Sequence, residues 1–182
     1  MQRTIELTRK TKETEIKISL NLDGKGESRV GTGIGFFDLA LEIKGDLEVD
    51  GHHSVEDAGI VLGQAIREAL GDKKGICRYG SCILPMDDAL ALCAVDLCGR
   101  PFFDFDCTFT AQRVGALDTE LVREFFYAVS YSAGMNLHIK MLSGVNSHHM
   151  IEAVFKAFAR ALDQAVRKDA RITDVLSTKG SL

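Results

Sequence analysis

The feature that most constrains this chain is a short motif that occurs twice, a His-His pair with a Glu four residues after the first His. Each copy, called here a cassette, opens an apolar stretch with helical spacing. Residues i and i+4 lie on one face of a helix, so the first His and the Glu of each cassette can hold one ion together. The second His points about 100° away, towards a second ion. The candidate metal ligands are His52, His53, Glu56, His148, His149 and Glu152.

Imidazole and carboxylate donors suit borderline divalent metals such as Mn, Fe or Zn. Chance alone explains a single His-x-x-x-Glu well, as the start of a His-rich surface helix. Two doubled copies, which hold four of the chain's five histidines, are much harder to explain in that way. The residues therefore predict a metal role.

Composition narrows the class of protein. A chain of 182 residues provides one domain or two small halves and can bury a real core. A net charge of −4 without a basic stripe makes nucleic acid an unexpected partner. No apolar run approaches the ~20 residues that span a bilayer, so we expect no membrane association. The five cysteines form no CxxC motif and are expected to be reduced, which together with the absence of a signal-peptide pattern predicts a cytoplasmic protein.

Hydrophobic periodicity predicts alternating strands and helices. Helices are expected to follow both cassettes, the first with Gly71 as its C-cap and the second capped by Ser147, and a third helix is expected over residues 117–133. Strands are predicted as two within residues 4–22, then over 39–49, 76–84, 89–98, 102–110 and 136–142.

The order strand, glycine turn, cassette, helix occurs twice, which predicts an internal duplication. We expect an α+β fold of two half-domains, each a small, mostly antiparallel sheet with helices packed on one face. The half-repeats are residues 1–85 and 86–182, together one compact domain. In the second half, Phe125-Phe126 begins the body of a helix that precedes the second cassette. In the first half, Phe36-Phe37 occupies the corresponding place, but no helix fits between Asp38 and Leu39. Either the protein has lost this helix, or the sequence as written omits a segment of the molecule.

Many stretches resemble the imidazoleglycerol-phosphate dehydratase family of histidine biosynthesis. Besides both cassettes they are residues 11–14, 32–38, 45–50, 78–80, 85–87, 96–101, 146–147 and 177–180. The resemblance covers nearly the whole chain. It implies a duplicated α+β fold and two manganese ions, other divalent metals being possible, held by the six cassette residues. It also implies homo-oligomers in which trimers assemble into a larger cage, a 24-mer in the family, with sites between subunits.

The implied reaction converts imidazole glycerol phosphate into imidazole acetol phosphate. The proton to be removed is a poor acid, so the imidazole ring must accept electrons. Metal ions favour its imidazolate form, which expels hydroxide through a diazafulvene-like intermediate. Glu13 is the candidate proton carrier or hydroxyl ligand, and Glu152 is a second candidate. The family motifs place the substrate phosphate at Arg78, Arg100, Ser177 and Lys179.

The chain departs from the family at two points. Leu39 follows Asp38 directly, where the family continues with a metal-binding His and a further helix, and Glu124 stands where some members have His. A loss of that ligand favours a non-catalytic, metal-binding and cage-forming protein, and paired ions also suit a phosphoester hydrolase. His138 is expected to be a strand histidine with a local partner rather than a ligand.

Overall fold

Two sheets and three long helices make up the fold. The computed structural model describes residues 3–24, 38–45 and 51–178. The elements are β1 (Thr4–Lys10), β2 (Thr14–Asn21), β3 (Asp38–Gly45), α1 (His52–Leu70), β4 (Tyr79–Met86), β5 (Ala89–Asp96), β6 (Phe102–Asp106), β7 (Arg113–Val114), β8 (Leu117–Asp118), α2 (Glu120–Ala133), β9 (Asn136–Ser143) and α3 (Ser147–Val166).

The two sheets repeat one plan. The first has the order β1-β2-β3, and the second has the order β4-β5-β9-β6, in which the first three strands are antiparallel as in the first sheet. A cassette helix follows the third strand each time, α1 after β3 and α3 after β9. The predicted α+β fold with a duplicated arrangement is therefore confirmed.

The second half contains four elements without a described counterpart in the first, of which β6 and α2 are the longest. Residues 97–135 link β5 to β9 and include β6 and α2, whereas only residues 22–37 link β2 to β3. Asp38 pairs with Asn21 and Leu39 with Leu20, so the two residues are consecutive in one strand. Among the described residues, therefore, no helix lies between Asp38 and Leu39, where the repeat predicts one.

The boundary predicted after residue 85 falls inside the β4–β5 hairpin, because β4 ends at Met86 and pairs with β5 in the second sheet. The structure thus places β4 with the later strands, and the division into half-repeats at residue 85 stays a prediction.

The core lies between the sheets, where the helices pack. Alternation along β2 buries Ile16, Ile18 and Leu20, and β2 packs against α1. Helix α1 packs closely along α2, since a Cβ at Gly59 would lie 2.6 Å from the Phe125 carbonyl oxygen. Phe126 of α2 reaches α3 with a ring-centroid separation of 5.2 Å to Phe158.

Most predicted elements are present, with two corrections. Asn146, rather than Ser147, caps α3, because Asn146 has extended backbone angles and its side chain accepts from the His148 and His149 N–H groups. Ser147 lies inside the helix, and its hydroxyl accepts from the N–H of Ala111 at 3.0 Å. The strand predicted over 102–110 ends at Asp106, since its pairing with β9 stops there.

Some predictions fall on residues outside the described ranges: residues 32–37 of the family-like stretch, the end of the predicted strand at 46–49, and Lys179. Across the residues that are described, no helix combines the length and apolarity that crossing a membrane requires.

Candidate functional site

Both cassettes lie at the same end of the molecule. The start of α1 contacts the start of α2, where a Cβ at Gly51 would lie 3.6 Å from Leu121 Cδ1. Thr119, just before α2, donates its hydroxyl to the Ala111 carbonyl at 2.9 Å. Ala111 in turn donates its N–H to Ser147 at the start of α3. A continuous chain of contacts therefore joins the two cassettes.

In the first cassette, His53 meets the predicted proton carrier. The turn between β1 and β2 carries Glu13, and one Glu13 carboxylate oxygen lies 3.6 Å from His53 Nδ1. Both side chains are about half exposed, 56% for Glu13 and 46% for His53. Glu13 thus remains open to a ligand while it stands beside a predicted metal-binding residue.

In the second cassette, the predicted i, i+4 pairing is present. His148 Nε2 lies 3.6 Å from a carboxylate oxygen of Glu152. The other oxygen of Glu152 is 2.6 Å from Lys156 Nζ. The Lys156 ammonium lowers the pKa of Glu152, so this carboxyl group is a weaker proton acceptor than an unpaired one.

His149 is held by a turn that sequence reasoning did not include in the site. Its Nδ1 lies 2.6 Å from Asp88 Oδ1, and its Nε2 lies 3.4 Å from Asp87. The second oxygen of Asp88 accepts from the backbone N–H groups of Val145 and Asn146. The Asp88 carboxylate raises the pKa of His149, and these contacts lower the pKa of Asp88.

Glu13 and Asp88 occupy corresponding positions in the two halves of the repeat. This correspondence is the sequence signal that identifies Asp88 as a residue of the site. Each immediately precedes the second strand of its half, and each approaches the second histidine of its cassette. They differ in how they are engaged. Both oxygens of Asp88 are bound within its own half, whereas Glu13 makes one longer contact and is more exposed. Glu13 is therefore the one placed to act on a ligand.

The donor set fits a borderline divalent metal, since it combines imidazole with carboxylate. Within the described ranges of one chain, no three His, Cys, Asp or Glu side chains are grouped so that they could hold an ion.

Three of the predicted phosphate ligands meet in one cavity. Arg78, Arg100 and Ser177 come from distant parts of the chain and line a cavity of about 700 Å³. Lys179, the fourth predicted ligand, lies outside the described residues. The other lining residues are Tyr79, Val175, Leu176 and Thr178.

Arg78 is held rigidly at this cavity. Its Nε donates to Asp96 at 2.7 Å, a second nitrogen donates to the same carboxylate at 3.1 Å, and a third contact of 2.6 Å reaches the Leu176 carbonyl. The Asp96 carboxylate raises the pKa of Arg78, which stays charged. These contacts use three of the five N–H bonds of a guanidinium, so two remain for a phosphate oxygen.

The cavity and the cassettes lie at opposite ends of the molecule. Arg78 directly precedes β4, and Asp88, which binds His149, lies two residues after the end of β4. An extended strand rises about 3.3 Å per residue, so the eight residues of β4 separate the two places by roughly 25 Å. A small phosphate ester cannot span this distance within one chain.

Two residues left outside the predicted site have local partners. His138 Nδ1 lies 3.4 Å from Asp104 on the adjacent strand β6, as expected of a strand histidine. Glu124 pairs with Arg123 at 3.1 Å. Neither contact involves a cassette residue.

The fold and site define a class of protein: a duplicated α+β protein with two His-His-x-x-Glu cassettes and a cavity lined by two arginines. The family model described as "Imidazoleglycerol-phosphate dehydratase" matches residues 32–162. This chain belongs to the imidazoleglycerol-phosphate dehydratase family.

Curated relatives and solved structures agree. Imidazoleglycerol-phosphate dehydratases of Lachnoclostridium phytofermentans and Acetivibrio thermocellus are 57% and 55% identical to it, and the alignments cover 100% of both chains in each case. The crystal structure of the enzyme from Staphylococcus aureus has a TM-score of 0.79 at 39% identity, covering 91% of this chain and 99% of the other. The enzyme from Pyrococcus furiosus, in complex with (S)-C348, has a TM-score of 0.79 at 34% identity, covering 97% and 100%.

The alignment with the L. phytofermentans enzyme extends over 195 positions, although this chain has 182 residues. The relative therefore contains residues without a counterpart here, in keeping with the short connection between β2 and β3.

Proposed function

We propose that this protein is a manganese-dependent hydro-lyase that converts imidazole glycerol phosphate into imidazole acetol phosphate in histidine biosynthesis. The observation that carries the proposal is the cavity in which Arg78, Arg100 and Ser177 meet. These residues were selected from separate family motifs, and the fold brings them together at a place suited to a phosphate.

The cavity residues bind and orient the substrate phosphate. Arg78 is fixed by Asp96 and by the Leu176 carbonyl, so its two remaining N–H donors have set directions. Arg100 adds an exposed cation, and Ser177 adds a hydroxyl group. Lys179 supplies a further charge in this proposal. Charge-assisted hydrogen bonds from a planar guanidinium give both affinity and orientation.

The cassettes hold the metal through His52, His53, Glu56, His148, His149 and Glu152. When bound, two manganese ions supply Lewis acidity that favours loss of the imidazole ring proton. Glu13 removes the proton from the side-chain carbon next to the one that loses its hydroxyl group. Its position beside His53, with an open carboxylate, supports this role.

A complete site draws on more than one copy of the chain in this proposal. The separation of roughly 25 Å between cavity and cassettes supports this, as does the lack of a three-donor group within the described ranges. A substrate molecule whose phosphate is bound at the cavity of one subunit would then present its imidazole ring to the cassettes of another.

Purified protein loaded with manganese and given imidazole glycerol phosphate should form imidazole acetol phosphate. We expect Glu13→Gln to lower kcat by about 100-fold or more while manganese content is unchanged, because a general base typically contributes 10²–10⁴-fold. Glu6→Gln, an exposed change on the same hairpin, is the matched control and should keep full activity. Full turnover by Glu13→Gln would exclude its role.

One observation favours a second candidate, a metal-binding and cage-forming protein without catalysis. The short β2–β3 connection removes the place where the family carries a further metal-binding His. In the same assay, manganese binding without turnover would select this candidate. Release of inorganic phosphate with an unchanged carbon skeleton would instead select a phosphoester hydrolase.

A further inference from the structure

A buried carboxylate in the first cassette helix has no role in the site described above. Asp57 is only 7% exposed. One of its oxygens accepts from Arg9 Nε at 2.9 Å, and the other accepts a short hydrogen bond from the Thr14 hydroxyl. Burial of a carboxylate is costly unless it is paired and hydrogen-bonded. The hydrogen bonds from Arg9 and Thr14 offset this cost and join helix α1 firmly to the β1–β2 hairpin.

The hydrogen bonds continue from Thr14 into the turn that carries Glu13. The hydroxyl groups of Thr14 and Thr11 are 3.0 Å apart. The Thr11 hydroxyl also accepts from the backbone N–H groups of Glu13 at 3.2 Å and of Thr14 at 2.9 Å. The backbone at Glu13 is therefore tied, through two threonines, to Asp57.

The register of these contacts determines where Glu13 points. His53 and Asp57 are four residues apart on α1, so they lie on one face, a turn apart. The neighbouring residues Glu13 and Thr14 meet them in order, Glu13 at His53 and Thr14 at Asp57. Thr14 is 4% exposed and acts as the anchor, while Glu13 stays open.

We propose that Asp57 is a positioning residue that holds the Glu13 carboxylate beside the first cassette through Thr14 and Thr11. The inference rests on the proposed function in that Glu13 is taken as the proton carrier. It assigns to Asp57 the role of orienting the Glu13 carboxylate.

Comparison with the second half of the repeat supports a dedicated positioning role for Asp57. Ala153 occupies the position in α3 that corresponds to Asp57 in α1. There the turn carboxylate, Asp88, is itself bound by the Val145 and Asn146 N–H groups and by His149. In the first half, Thr14 anchors the turn by binding Asp57, while the turn carboxylate is the neighbouring residue Glu13. This separation fixes the turn and leaves the Glu13 carboxylate available.

The first arm of the test measures amide hydrogen exchange in the full-length protein. Asp57→Asn and, as an independent break in the same chain of contacts, Thr14→Val should raise exchange across residues 11–14. Thr14→Ser, which keeps the hydroxyl, should restore the protection. Asp163→Asn removes a similar carboxylate paired with Arg167 on α3 and should leave residues 11–14 unchanged. Unchanged exchange at 11–14 in both Asp57→Asn and Thr14→Val would overturn the proposal.

The second arm measures turnover with imidazole glycerol phosphate and manganese. Asp57→Asn should lower kcat by about 10- to 100-fold, because a misplaced catalytic group costs up to about 100-fold. KM and manganese content should be unchanged. In a Glu13→Gln background the same change should alter kcat by less than about twofold, since residues that act through one group are not additive. An equal loss in both backgrounds would overturn the proposal.

The two arms separate the two proposals. A wild-type protein without dehydratase turnover would contradict the proposed function. Hydrogen exchange would then still decide whether Asp57 holds the Glu13 turn.

Discussion

The guanidinium of Arg78 is shared between a carboxylate of its own sheet and the backbone of the C-terminal segment. Its side chain is 11% exposed, and that of Asp96 is 21% exposed. Arg78→Lys replaces a planar fork with a single point charge. We expect the free energy of unfolding to fall by about 1–3 kcal/mol, as for loss of hydrogen bonds to a charged group, and KM for the phosphate substrate to rise.

Arg100→Lys is the matched comparison for that experiment. Arg100 lines the same cavity but is exposed. This change should raise KM with little effect on urea unfolding. If both variants unfold alike, the Asp96 and Leu176 contacts do not stabilise the protein in the way proposed.

At the residue scale, sequence motifs pointed to the cassettes and to residues that line one cavity, but not to the side chains that contact them. Arg78 and Arg100 were predicted from short motifs, and they do meet at one cavity. Asp88 and Asp57 escaped prediction because their partners are remote in sequence. Asp88 contacts residues near 145–149, and Asp57 contacts Thr14. Such contacts follow from how turns and helices meet, which local periodicity does not encode.

The packing of α1 on α2 depends on two glycines that leave no room for a side chain. A Cβ at Gly63 would lie 2.7 Å from both the Ser132 Cβ and the Val129 carbonyl oxygen. Gly63→Ala should therefore separate the helices. Overpacking costs about 1–3 kcal/mol, and alanine returns about 1 kcal/mol of helix propensity. We expect a net loss of about 1 kcal/mol, and at most about 2 kcal/mol, in the free energy of unfolding measured with urea.

Gln64→Ala is the control for that change, because Gln64 is the next residue along α1 and is exposed. It should leave stability unchanged or raise it by a few tenths of a kcal/mol. A Gly63→Ala variant as stable as the wild type would mean that the two helices adjust without cost.

At the element scale, periodicity found the three long helices and most strands, since each has one buried face. Periodicity was less successful at predicting where helices and strands begin and end. The cap of α3 was assigned to Ser147 rather than Asn146, because both residues are good caps and only the backbone angles distinguish them. The strand β6 was predicted too long, because its alternating phenylalanines continue after its partner β9 stops pairing.

At the scale of the whole molecule, the repeat explains why both cassettes lie at one end while the arginine-lined cavity lies at the other. Equivalent helix starts bring the two cassettes together, linked through Ala111 and Thr119. The same symmetry places the β1–β2 and β4–β5 turns beside them, while Arg78 lies at the far end of β4. In the proposed assembly of identical chains, the cavity of one copy would lie beside the cassettes of another.

This arrangement predicts that metal and assembly are coupled. If ions draw ligands from more than one subunit, binding them favours the assembled state by mass action. Removing manganese with a chelator should therefore lower the particle mass measured by native mass spectrometry, and added manganese should restore it. His148→Ala should behave like the chelated protein. His138→Ala, which changes the one histidine outside both cassettes, should assemble normally. Metal-free protein that keeps the particle mass of the loaded form would show that ions are held within single subunits.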